Sequence, residues 1–452
     1  MALNIVYVNS HDTGRYVGPY GYKIRTPHLQ KLAEDGVLFR QAFSAAPTCS
    51  PSRCALITGQ YPHNAGMVGL GNRGVYPFEF DRHLAHTLKS AGYETATWGR
   101  WALDNHLGVA NVGGNPSSVG YDRTIDGETV DGIIDFVGEN RSKPFFLSAS
   151  FSLTHRVGRG FTSQPQAADD PRYTALPAPL ADTPRIRADW AHFCSDANAW
   201  DAMLGRIFDA IDAAGLRDST LIIATTDHGP PFPGMKCSVS VHGTGVFMIL
   251  RGPQGFSSGK VVDAMVSHLD LFPTICELIG IARPPWLDGQ SLLPIIRGEK
   301  EQIHEALFAE VSYHAGYEPM RALRTQRYVY VKRFGTRRAP VAVNCDASPS
   351  KDEWLEHGFL ERQHADEMLF DTFYDPQEMN NLYREPAYAE ILAGLRQRLL
   401  DWMARTNDPL LKGRVPMPAT GWENNADELD PTEVKATYPP GQDPRITPWQ
   451  RP

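Results

Sequence analysis

The chain has 452 residues, 42% of them hydrophobic, which is enough for one large or two unequal domains around a packed core. Its 44 basic and 52 acidic side chains leave a formal net charge of −8, and no basic run or aromatic stacking pattern points to nucleic acid. No stretch approaches the roughly 18 apolar residues of a membrane span, and the N-terminus lacks the basic region, apolar core and cleavage site of a signal peptide; the expectation is a cytoplasmic protein with no membrane partner.

Short β-branched runs alternate with longer helical patterns along the first two thirds of the chain. Strands are predicted at Asn4 to Val8, Glu94 to Trp98, Pro144 to Phe151, Thr220 to Thr225 and Val246 to Leu250. Helices are predicted at Thr26 to Glu34, His83 to Ala91, Ile186 to Ala214 and Leu271 to Ile279. This alternation predicts an α/β fold with a mainly parallel sheet covered by helices on both faces. After about residue 316 the pattern changes to a hairpin over Arg321 to Phe334, a strand over Glu367 to Tyr374 and a helix over Ala387 to Thr406. We place a catalytic domain at 1–316, a smaller α+β domain with an antiparallel sheet at 317–415, and an extended arm, rich in Pro, Gly and acidic residues, at 416–452. Such an arm suits wrapping a neighbouring subunit, so a homo-oligomer is expected. The six cysteines (49, 54, 194, 237, 276 and 345) are scattered without metal-ligand spacing and are read as reduced.

The segment Cys49-Ser50-Pro51-Ser52-Arg53 carries the most chemistry. Pro51 suits the first turn of a helix, where its missing N–H costs nothing, and Ser50 is a candidate cap. Residue 49 then sits at the positive end of a helix, which favours an anion, with Arg53 one turn on to neutralise bound oxygens. Ligand sites in parallel sheets lie beyond the carboxyl ends of the strands. There the first strand delivers His11 and Asp12, and the strand at 220 delivers Asp227 and His228. Two carboxylates and two imidazoles brought to one edge form a candidate divalent cation site.

The C-x-P-x-R pentapeptide resembles the maturation signal of type I sulfatases of the alkaline phosphatase superfamily, in which the cysteine is oxidised to formylglycine by a formylglycine-generating enzyme. The order of the other motifs is the same, and Tyr61 to Met67, Pro230 to Lys236, Tyr317 to Arg321 and Leu369 to Leu382 look like the N-sulfoglucosamine sulfohydrolase (sulfamidase) branch and its bacterial relatives. The resemblance implies that His11, Asp12, residue 49, Asp227 and His228 hold the metal. Ca²⁺ is the family's usual ion, and His11, in place of the usual first Asp, brings in Mn²⁺ or Zn²⁺. It implies that hydrated formylglycine attacks sulfur, that Arg53 and Lys236 hold charge on the oxygens, that His155 protonates the leaving atom, and that sulfate departs as the aldehyde re-forms.

One departure is Gly99-Arg100-Trp101-Ala102 where the family carries Gly-Lys-x-His. Arg100 replaces the lysine charge with a different shape, and Ala102 accepts no proton. Either His106 fills the gap, sulfate release is slow, or the chemistry differs. His106, His242, His314 and Arg321 are the candidate substrate residues, with Trp101 and Glu318 in the same regions. A formylglycine sulfatase acting on a sulfate ester or sulfamate comes first, and as its substrate a small sulfated sugar or an aryl sulfate fits as well as heparan fragments. A phosphonate monoester or phosphodiester hydrolase of the same superfamily comes second. A catalytically silent sulfated-ligand-binding protein, motivated by Ala102 and by Gln60 where arginine is common, comes third.

Overall fold

The computed structural model describes residues 3–99, 116–127, 129–163 and 170–432. Strand β1 (Asn4–Ser10) lies inside a nine-stranded sheet, flanked by β5 (Phe145–Ser150) and β6 (Thr220–Thr226), both parallel to it. Beyond β5 follow β3 (Glu94–Trp98) and β4 (Arg123–Ile125), again parallel. On the other side β8 (Met248–Arg251) runs antiparallel and joins β2 (Val37–Phe43), which also pairs with β7 (Gly245–Val246) and β9 (Lys260–Ser267).

The two-residue period of β1 decides its environment. Ile5 and Tyr7 join one core with Cys54, Leu84, Leu88, Phe272 and Ile275, from the helices Cys49–Thr58, Leu84–Ser90 and Leu271–Ile279. Val6 and Val8 face the other core, formed by Leu29, Ile133, Trp200, Leu204 and Ile207 from Pro27–Asp35, Asp131–Gly138 and Pro184–Ala213. Both faces are therefore dry, as an apolar β-branched strand requires. The long helix starts where the Thr183 hydroxyl accepts the Ile186 N–H and Pro184 takes the first helical position. Its Asp201 accepts the backbone N–H groups of His28 and Leu29 at 3.0 and 2.9 Å, which satisfies the start of the neighbouring helix.

The run predicted as one strand at Val246 to Leu250 is two. The Phe247 N–H donates to the Gly14 carbonyl and its carbonyl accepts from Thr225, so the ladder breaks there. Strands β2 and β9 and strand β10 (Leu307–Tyr313) are additional to the prediction. Strands β2 and β9 carry the outward ion pair of Arg40 with Asp263, which interrupts the apolar signal.

The C-terminal part is a four-stranded antiparallel sheet in the order β10, β11 (Tyr317–Arg324), β12 (Tyr328–Arg333), β13 (Glu367–Asp371). Helix Ala389–Arg405 lays Leu395, Leu399 and Trp402 on Leu323, Tyr330 and Leu369. This sheet begins upstream of the expected 316/317 junction. Strand β10 is shared, because its Glu310 and Tyr313 N–H groups donate to the Ala45 and Val68 carbonyls of the first domain. Of the C-terminal arm, residues 416–432 pack on their own chain: Trp422 N–H donates to Arg73, Asn424 N–H to Ala315, and Lys351 Nζ to the Leu429 carbonyl.

A buried charge network locks the two parts together. His63 Nδ1 lies 2.8 Å from Glu310 and its Nε2 lies 3.2 Å from the Thr406 carbonyl, so both ring nitrogens face acceptors and the ring is satisfied only as imidazolium. Arg321, fully buried, bonds Asp408 through Nε and Nη2 at 2.5 and 3.0 Å and reaches Glu310 at 3.3 Å. With Asp288 and Arg321 as the other charges near the ring, burial opposes the imidazolium, but Glu310 and Asp408 together raise its pKa. A raised histidine pKa contributes stability that is complete below the unfolded value of about 6.5 and is lost as pH rises through the folded value. His63→Gln is therefore expected to cost about 3 kcal/mol at pH 5.5 by denaturant unfolding, with the gap to wild type narrowing at pH 9. A gap independent of pH would contradict the imidazolium.

Candidate active site

The carboxyl ends of β5, β1 and β6 converge on one point. Past Ser10, the His11 N–H donates to the Leu153 carbonyl and the Thr154 N–H donates back to the His11 carbonyl, tying the β1 and β5 extensions together. Asp12 adopts a left-handed backbone (φ 58°), which Asp tolerates, and its N–H donates to Asp227 Oδ1 at 2.8 Å. Asp227 also accepts the His228 N–H, and its backbone carbonyl accepts the Ser52 hydroxyl. Glycine is required at 229, because a Cβ there would stand 1.9 Å from the His242 carbonyl oxygen.

The helix Cys49–Thr58 points its N-terminus at this corner. Thr48 is extended and offers no side-chain cap, Cys49 is the first helical residue, and Gly59 (φ 67°) ends the helix. Ser50 is not the cap expected from the sequence; its hydroxyl accepts the Gly71 N–H and anchors the loop beyond. Pro51 occupies the first turn, as predicted.

One ligand atom from each of His11, Asp12, Cys49, Asp227 and His228 lies within 4.8 Å of all the others, and all five residues are buried. His228 Nε2 is 3.1 Å from Asp12 Oδ1 and 3.4 Å from Cys49 Sγ, and His11 Nδ1 is 2.7 Å from Asp12 Oδ1 and 3.4 Å from Asp227 Oδ2. Arg53 donates from Nε to Asp227 Oδ2 at 3.0 Å, and Lys236 Nζ donates to Asp12 Oδ2 at 2.8 Å. Burial opposes ionisation of both carboxylates, yet Lys236 with the two imidazoles holds Asp12 well below the usual range, and the imidazoles with Arg53 hold Asp227 down. Burial pushes the His11 imidazole down to about 3, so it is a neutral nitrogen donor. Burial likewise raises the Cys49 thiol far above its ordinary value, which makes it a poor nucleophile as cysteine.

These groups fit a divalent cation. Two ionised carboxylates and two imidazoles converge within a few ångströms in a dry site, whereas the Arg53 Nη2 beside them, a buried donor with no hydrogen-bond partner among the described residues, suits an anionic oxygen.

The rim is formed by residues from other elements. His155 stacks edge-on against His11 with ring centres 4.4 Å apart, and its Nδ1–H donates to the Arg156 carbonyl at 2.7 Å, which leaves Nε2 as the atom that titrates. Lys236 also reaches Asp346 Oδ2 at 3.2 Å; burial opposes its charge, but the two carboxylates hold it protonated. His314 lies near enough to feel Lys236 and Asp346, and burial takes its imidazole down to about 3. Asp346 was not anticipated. No spacing marks it, and the available signal is chemical: a buried lysine needs carboxylate neighbours.

Two expected substrate residues lie elsewhere. Arg321 is consumed by the Asp408 and Glu310 network, and His242 is buried between the Tyr16 hydroxyl at 2.9 Å and the Gln377 carbonyl at 2.8 Å, so neither side chain has a nitrogen to offer a ligand in this corner. Glu318 is held by Arg333 and Asn344. Arg100, Trp101, Ala102 and His106 lie outside the described residues. A cavity of about 970 Å³ in the C-terminal part, lined by Tyr317, Glu318, Arg333 and Arg414, contains none of the cluster residues. Its Arg333–Glu318 and Arg414–Glu423 charges are paired with each other.

Residues 3–281 match the family model described as sulfatase, and residues 240–340 match that of the N-sulphoglucosamine sulphohydrolase C-terminal region. The chain is 30% identical over 469 aligned positions to N-sulphoglucosamine sulphohydrolase of Homo sapiens, covering 90% of this chain and 91% of that protein. Among solved structures, a 2-O GAG sulfatase superposes with a TM-score of 0.67 at 22% identity, covering 92% of this chain and 95% of that one. The phosphonate monoester hydrolase of Agrobacterium radiobacter superposes equally well, with a TM-score of 0.67 at 19% identity, covering 93% and 99%; likenesses at this identity establish a shared fold. With a family model spanning most of the α/β domain and a full-length relative at this identity, the chain belongs to the sulfatase family, in its sulfamidase-like branch.

Proposed function

We propose that this sulfatase-family hydrolase cleaves a sulfate ester or sulfamate on a small sulfated sugar or an aryl sulfate, using formylglycine made from Cys49 and a divalent metal. The observation that carries the reading is the buried convergence of His11, Asp12, Cys49, Asp227 and His228, with Arg53 and Lys236 in contact with its two carboxylates.

His11, Asp12, Asp227 and His228 would hold the cation, and residue 49 completes the set. A bound divalent cation supplies Lewis-acid charge at the oxygens of nucleophile and sulfate, and the hydrated aldehyde at 49 supplies a hydroxyl nucleophile. The remaining roles belong to the chain's own groups. The N–H groups and positive end of helix Cys49–Thr58 favour an anion at residue 49. Arg53, fixed through Nε by Asp227, presents its second terminal nitrogen to an anionic oxygen. Lys236 places a retained positive charge on the opposite carboxylate. His155 Nε2 would give a proton to the departing oxygen or nitrogen from the imidazolium form, which burial disfavours, with its ring oriented by the Arg156 carbonyl.

Charge matching supports a monoanionic substrate group. Asp12, Asp227 and Asp346 face Lys236 and Arg53, which leaves one net negative charge, and a divalent cation turns it into one net positive charge. A sulfate ester or a sulfamate carries a single negative charge, which such a site accommodates without a further cation.

The reading is tested with protein produced alongside a formylglycine-generating enzyme and assayed on 4-nitrophenyl sulfate, N-sulfoglucosamine and phenyl phosphonate esters. Sulfur substrates are expected to exceed the phosphonate in kcat/KM by at least about tenfold; the reverse order would assign the site to phosphonate hydrolysis, and binding without turnover would mark a silent fold. Lys236→Ala is expected to lower kcat by about 10²- to 10³-fold, the usual scale for one group aimed at developing charge. Asp227→Asn is expected to remove stoichiometric divalent metal from the purified protein, as read by elemental analysis; unchanged metal content would contradict the ligand assignment.

A further inference from the structure

Asp346 is the third carboxylate of the site and the second one beside Lys236. Lys236 is already bonded to Asp12 at 2.8 Å, and Asp227 is already matched by Arg53. Asp346 Oδ2 lies 3.2 Å from Lys236 Nζ, is buried as an atom, and makes no hydrogen bond among the described residues. The residue is nevertheless partly open, its side chain 20% exposed, so it stands at the mouth of the site rather than in the wall. Through Lys236 it adjoins Asp12, one of the residues of the buried cluster.

A negative group at that place repels the anion the site is built to take. A bare aryl ring offers it nothing in return, because a carboxylate only accepts hydrogen bonds. A sugar ring offers several hydroxyl donors beside its sulfate, and an amino sugar can offer an ammonium group.

We propose that Asp346 is a specificity residue: its carboxylate accepts a hydrogen bond from a hydroxyl or ammonium donor on a sulfated sugar, next to the sulfate held by Lys236 and Arg53. This rests on the hydrolytic reading above and deepens it, by preferring sulfated sugars over aryl sulfates. The residue acts on the part of the substrate that carries no sulfur.

The test compares kcat/KM for N-sulfoglucosamine and glucosamine 6-O-sulfate with that for 4-nitrophenyl sulfate, in formylglycine-bearing wild type and in Asp346→Asn. The sugar-to-aryl ratio is expected to fall by about 10- to 100-fold in the variant, the scale of one hydrogen bond to a charged group. The ratio is internal to each preparation, so partial loss of folded protein cancels from it, and Asp346→Ser is read the same way should the amide variant not fold. An equal loss on both classes would overturn the proposal and make Asp346 a positioning residue for Lys236, and an unchanged ratio with unchanged rates would remove it from the site. Failure of wild type to turn over any of these compounds would instead overturn the hydrolytic reading itself, an outcome separate from an unchanged ratio.

Discussion

Two ionised carboxylates, Asp12 and Asp227, lie side by side without contact with water, and the rest of the site is arranged around keeping them charged. Desolvation and mutual repulsion both oppose this state. Lys236 and Arg53 answer it with one full positive charge each, and His11 and His228 place ring nitrogens between them. A dry, pre-paid concentration of negative oxygen and imidazole nitrogen is what a divalent cation needs, and it leaves two cations poised over whatever anion approaches residue 49.

That arrangement depends on strand geometry more than on any single side chain. Asp12 and Asp227 are brought together because β1 and β6 are adjacent and parallel, so both chains leave the sheet at the same edge. The left-handed turn at Asp12 and the hydrogen bond from its N–H to Asp227 fix the separation. The helix carrying Cys49 is buried on nearly every side and is tied to the β6 end through Ser52 and Arg53, so the position of residue 49 relative to the carboxylates is set by packing. His155 arrives from the β5 end, which His11 and Thr154 stitch to β1.

Much of this was legible in the sequence for a physical reason: strand ends and helix starts have local signatures. The apolar runs at Asn4 and Thr220 ending in His11-Asp12 and Asp227-His228, and the Pro51 helix start after Cys49, mark their own positions, and the α/β architecture follows from their alternation. What escaped was non-local. Arg321 was expected at the substrate from the likeness of its region to the sulfamidase-like branch, and His242 as a pocket residue, yet long-range partners, Asp408 and Glu310 for one and Tyr16 and Gln377 for the other, absorb them. Asp346 sits in a loop without periodicity and acquires meaning only through Lys236, which is far away in the chain. His63 belonged to a recognisable segment, but its partners on β10 and after the C-terminal helix could not be read from spacing. Strand β10 likewise could not be read as part of the second sheet, since its backbone bonds both parts.

We propose that residue 49 acts as an aldehyde hydrate; burial raises its thiol pKa above the ordinary value, which disfavours the thiolate as an alternative. The most direct measurement is the mass of the peptide spanning Cys49, from protein made together with a formylglycine-generating enzyme, with a hydrazine probe for the aldehyde. Conversion of Cys49 to formylglycine with labelling at that peptide is the result this account predicts. An unmodified Cys49 under those conditions would contradict it.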